Sequence, residues 1–117
     1  MNAYEIPNLR FSLPAGGAVA RCRFVSVDAN GNGIQATAAT EVIGASMNLI
    51  TAEENTAGGH IVEIADGIVM VEAAEAITAG TAIYSNAEGK AASTGTIKVG
   101  VAITSATAAG HLVAVKL

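Results

Sequence analysis

Apolar and polar residues alternate with a period of two along much of this chain, the pattern of strands with one covered face. The clearest case is 18–27, where Val19, Arg21, Arg23, Val25 and Val27 fall on one parity and Ala18, Ala20, Cys22, Phe24 and Ser26 on the other. Further strand-like runs are 34–38, 42–47, 61–65, 68–72, 82–85, 99–104 and 112–117. Gly-, Asn- and Asp-containing turn signals separate them. Helix signals are weak, and only 47–55 and 72–78 have room for a turn or two. The pattern therefore predicts an all-β chain with little helix.

The first segment, 1–17, differs from the rest. It holds both prolines, Pro7 and Pro14, and ends in Gly16 and Gly17. Proline disfavours helix and pushes the preceding residue toward extended geometry. Tyr4, Ile6, Leu9, Phe11 and Leu13 are interleaved with polar positions such as Arg10 and Ser12. We read 1–17 as an extended N-terminal arm joined by a glycine pair to a β domain at 18–117.

The body contains an internal repeat. Residues 24–31 (FVSVDANG) align with 82–89 (AIYSNAEG), 42–46 (VIGAS) with 98–102 (KVGVA), and 57–64 (AGGHIVEI) with 108–115 (AAGHLVAV). Gly44 thus matches Gly100, and His60 matches His111. The offset shrinks along the repeat, so the first copy carries extra residues, mainly around 49–55. Two similar β-units, roughly 24–64 and 82–115, are expected to pack in one compact sandwich- or barrel-like domain, since neither buries both faces alone.

Length and composition narrow the function. A chain of 117 residues suits one domain. Its apolar content is mostly Ala, Val and Ile, so each core side chain buries little area, and a partner subunit would help complete the core. Net charge is −4, with six basic residues that never cluster. This argues against direct nucleic-acid binding. No apolar run approaches the roughly 20 residues of a membrane helix, and no signal peptide is expected. The single cysteine, Cys22, fits folding in a reducing cytoplasm.

The search for chemistry finds no catalytic, cofactor or metal residue. Residues 28–33 (DANGNG) open like a calcium loop, but its twelfth position, where a bidentate Glu belongs, is Ala39. A turn of Asn and Gly accounts for the same letters. His60 and His111 each follow a Gly and lack further ligand types nearby. No serine lies in a nucleophile elbow, and the four aromatics are too sparse for a stacking platform. Arg21 and Arg23, on one expected strand face, are a candidate basic pair for an acidic partner.

The second half resembles the capsid decoration (cement) proteins of tailed phages. Residues carrying the resemblance are Gly67, 77–80 (ITAG), Ser85 and Asn86, 100–102 (GVA), Ala109 and Gly110, and 113–117 (VAVKL); 13–17 (LPAGG) fits as well. His60 and His111 depart from the pattern, as does the longer 49–55 segment. The resemblance implies a non-enzymatic β-rich protein on the outer capsid surface of a virion, made in the host cytoplasm. It also implies a homotrimer that binds and stabilises the major capsid protein lattice. Tyr4, Ile6, Leu9, Arg10, Phe11 and Leu13 are then the candidate capsid-binding residues, by strand addition to a sheet edge. A ligand- or carbohydrate-binding β-domain on a virion is the competing reading.

Overall fold

In the computed structural model, backbone is described for residues 6–117 and side-chain surroundings from Leu9 onward. The described elements are β1 (Ile6–Pro14), β2 (Phe24–Val27), β3 (Gly33–Gln35), β4 (Gly44–Ser46), α1 (Ala52–Ala57), β5 (Ile61–Glu72), β6 (Ala82–Ser85), β7 (Ala91–Ala92), β8 (Lys98–Ala102) and β9 (Leu112–Lys116). Strand accounts for 46% and helix for 6%, which settles the all-β class. The strands form one curled antiparallel half-barrel in the order β3-β2-β4-β5-β9-β8-β6-β7, with β1 paired to β5 off that path.

The long strand β5 organises the molecule, because its two halves face two cores. In its first half the even positions Val62 and Ile64 are buried, together with Val19, Val25 and Ile50. In its second half the odd positions Val69 and Val71 are buried, in the larger core of Phe24, Ile77, Ile83, Val113 and Val115. The alternation changes phase where Ile64 and Ala65 are both buried. Just beyond, Gly67 has φ 115, a backbone conformation that a Cβ disfavours. The first half pairs with β1, from Leu13 opposite Val62 to Arg10 opposite Ala65. The second half pairs with β9, from Ile68 opposite Lys116 to Glu72 opposite Leu112. Most large core side chains are β-branched Val and Ile, which suit a pleated surface. Each contributes about 1.5–3 kcal/mol when fully buried.

Strands of the two aligned sequence copies occupy matching places. Within the path, β3-β2-β4-β5 is mirrored by β7-β6-β8-β9. Individual contacts recur too. The Ala15 N–H donates to the His60 carbonyl at 3.0 Å, and the Ala73 N–H to the His111 carbonyl at 2.8 Å. Val19 and Ile50 exchange backbone hydrogen bonds, as do Ile77 and Ala106. A Cβ on Gly44 would come within 2.5 Å of the Ala65 carbonyl oxygen, and one on Gly100 within 2.1 Å of the Lys116 oxygen. Both glycines let one backbone approach its neighbour.

The structure departs from the sequence reading in detail. Strand β2 begins only at Phe24, because Cys22 has φ 59 and residues 21–22 form a turn. Of the two helical candidates, only the first holds a helix. The extra residues of copy 1 form α1, whose Thr51 hydroxyl accepts from the Glu54 N–H while the Glu54 carboxylate accepts from the Thr51 N–H. This is a capping box. Residues 72–78 instead finish β5 and make isolated bridges at Ala73 and Ile77. Within 1–17, residues 6–14 are strand β1 along β5. Gly16 is a close approach, since its Cβ would lie 2.8 Å from Asn32 Cβ and from Asp28 Oδ2, whereas Gly17 has open space.

Candidate functional site

The candidate contact residues of β1 fall into two groups by exposure. Phe11 and Leu13 are half-buried and pack against the smaller core. Leu9 is 55% exposed, and Arg10 is also exposed. Tyr4 lies outside the described residues. Ile6 is placed by its backbone opposite Ile68. Beside β1, Arg10, Phe11, Ser12, Met47, Glu63 and Ile64 line a surface pocket of about 210 Å³. Exposed Ile61 and Leu49 add apolar surface on the same half of the molecule. This pocket offers one aromatic side chain and one charge of each sign.

Arg21 and Arg23 do not share a strand face. The turn at Cys22 leaves Arg21 exposed and turns Arg23 inward. Arg23 Nη2 lies 3.3 Å from Glu72 Oε1, and Lys90 Nζ lies 3.1 Å from Glu72 Oε2. Arg23 Nη1 also donates to the Glu88 carbonyl at 3.1 Å, while its buried Nε has no hydrogen-bond partner among the described residues. The Lys90 ammonium, with Arg23 beside it, holds the Glu72 carboxyl below its usual range. Arg23 therefore serves an internal charge cluster that joins the two sequence copies. Sequence reading missed Glu72 and Lys90 because the three residues are distant in the chain and meet only through β5 and the turn after β6.

The loop from Asp28 is an Asx turn. Asp28 Oδ1 accepts the N–H groups of Asn30 and Asn32, both at 2.9 Å. Those bonds, led by the one from Asn32, lower the Asp28 pKa. The second copy builds the same turn with a neutral amide. Asn86 Oδ1 accepts the N–H groups of Glu88 and Lys90, again at 2.9 Å. The carboxylate oxygen thus does work that needs no charge. His60 Nδ1 lies 3.6 Å from Glu54 Oε2, and His111 Nδ1 lies 3.1 Å from Thr107 Oγ1. The two histidines sit in equivalent places, yet each side chain serves its own loop. No group of three or more His, Cys, Asp or Glu side chains converges among the described residues.

This geometry offers an exposed stretch of β1, apolar surface beside it and a charge cluster spent within the chain. No curated protein sequence matches the chain. Among solved structures, the chain resembles the N base of the head fiber gp8.5 in bacteriophage phi29. The TM-score is 0.73 and the identity 18%, over 93% of this chain and 92% of that one. At that identity the likeness shows a shared fold. The phage cement protein family matches residues 8–117, nearly the whole chain. The chain belongs to the phage cement protein family.

Proposed function

We propose that this protein decorates the outer surface of a phage head, where it assembles as a homotrimer and braces neighbouring major capsid proteins. Family membership across residues 8–117 carries the reading. It acts mechanically, without catalysis, cofactor, nucleic acid or membrane contact, after synthesis in the host cytoplasm. The capsid-facing surface is β1 with the residues that precede it. Among the described strands β1 pairs only with β5, so its outer edge has free backbone groups for an added strand. Leu9 and Arg10 are exposed on its two faces, while Phe11 and Leu13 pack against the smaller core. Exposed Arg21 adds a positive charge, whereas Arg23 is already engaged by Glu72. Three such surfaces on one trimer would raise avidity through effective concentration.

Co-sedimentation with purified heads lacking the protein tests this reading. The wild-type chain pellets with heads, and a Leu9→Glu, Arg10→Glu double variant of unchanged circular dichroism stays in the supernatant. Equal pelleting of the variant would remove β1 from the contact. Light scattering on the free protein gives the mass of a trimer; a monomer that stays monomeric on heads would refute trimer assembly.

A further inference from the structure

The two Asx turns share one geometry but differ in what surrounds them. In the second copy, Gly89 (φ 72) is buried, and its Cβ position lies 3.1 Å from both Gln35 Cγ and the Phe24 carbonyl oxygen. The Gly89 carbonyl accepts the Phe24 N–H at 2.8 Å, and the Glu88 carbonyl accepts from Arg23. The turn at 86–90 is therefore docked on a surface of the first copy made by residues 23–24 and 35–36. In the first copy, Gly31 has a matching φ of 80, but its Cβ position meets nothing within 4 Å among the described residues. Val27, just before this turn, is 42% exposed, whereas its counterpart Ser85 is only 4% exposed.

The receiving surface shows the complementary difference. Phe24 and Ala36 are fully buried beneath the docked turn's side of the molecule. At an offset of 58, their counterparts are Ala82, half-buried, and Thr94, exposed; the counterpart of Arg23 is half-buried Thr81. Among the described residues, copy 1 thus presents a turn whose base rests on Gly16 but whose tip at Asn30 and Gly31 is uncovered, and copy 2 presents an unfilled receiving surface. The chain already contains one example of these two surfaces fitting together.

We propose that the 27–33 turn of one chain docks on residues 81–82 and 93–94 of a second copy, repeating between chains the contact that joins the two copies within one. Such a contact is head-to-tail, so it closes into a ring when its rotation allows. It supplies a self-interface for the homotrimer of the previous subsection and is independent of capsid binding.

Pairing of residues by equivalence gives the test. Asn30 corresponds to Glu88 and Thr81 to Arg23, whose backbone and side chain touch within the chain. Full-length Asn30→Cys and Thr81→Cys proteins are mixed and treated with a short bis-maleimide, whose spacer replaces the reach of the Arg23 side chain that a direct disulfide lacks, with wild type as the background for Cys22. The expected dominant product is the mixed 30–81 cross-link, identified by peptide mass, and a Val27→Asp change in the first partner abolishes it. Prevalence of 30–30 or 81–81 cross-links, or no cross-link above background, would overturn the proposal. Because no capsid is present, that failure is separable from failure of head binding.

Discussion

The two halves of β5 carry similar residues yet bury opposite faces. Val62 and Ile64 close a small core with Phe11 and Leu13 of β1, whereas Val69 and Val71 enter the larger core with Val113 and Val115 near β9. The change of phase at Ile64 and Ala65 switches which parity is covered. The smaller core, of Val19, Val25, Ile50, Val62 and Ile64, is covered by half-buried Phe11 and Leu13 of β1, while the larger one draws on both sequence copies. The first half of β5 is therefore the more vulnerable.

Removing residues 1–14 tests that difference most severely. It strips the β1 ladder and uncovers Val62 and Ile64. The expected loss is a large share of the roughly 5–15 kcal/mol that holds a domain together. Thermal melting should show no cooperative native transition. A truncated chain that melts like wild type would show that the smaller core stands without β1.

Glycine substitutions compare the copies at equivalent positions. Gly44→Ala and Gly100→Ala each force a methyl group against a neighbouring carbonyl. Overpacking of this kind costs about 1–3 kcal/mol. Denaturant unfolding should show both variants destabilised, Gly100→Ala more, since its approach is closer. A neutral Gly100→Ala would mean that β8 and β9 separate freely.

A smaller effect is expected at the charge cluster. Glu72→Gln leaves Arg23 and Lys90 facing one another with no anion, at a cost of about 1 kcal/mol. Because the folded pKa of Glu72 lies below its ordinary 4.5, this stabilisation is complete above that pH. It is lost as pH falls toward the folded value. Melting temperature against pH should therefore drop in that acid range for wild type and drop less for Glu72→Gln. Identical profiles would exclude Glu72 as the cause.

The smallest expected change is at the first Asx turn. Asp28→Asn should leave the melting temperature unchanged, because Asn86 already builds that turn with an amide. A marked calcium-dependent stabilisation lost in Asp28→Asn would contradict the turn's purely structural role.

Much of this architecture was legible in the sequence because it rests on local signals. Period-two alternation located most strands, with 82–85 matching β6 to the residue. Asn and Gly marked the turns. What escaped depended on distance or on backbone conformation. Nothing in the alternation of 18–27 reveals the positive φ of Cys22, which breaks the strand and parts Arg21 from Arg23. The break at Ala65 looked like two short strands, since a phase change resembles a gap. The Thr51–Glu54 spacing was a readable helix-start signal that the weak apolar periodicity of 47–55 obscured. At the candidate site, alternation in β1 already set Phe11 and Leu13 apart from Arg10 and Ser12. Only the fold shows that the apolar pair packs on the smaller core.

Binding to phage heads is the most direct test of the central claim. Purified protein is titrated onto heads that lack it, and bound copies are counted after sedimentation. The account predicts saturable binding at a fixed ratio to the major capsid protein, together with greater resistance of the heads to heat. Absence of binding, or binding without any gain in head stability, would contradict it.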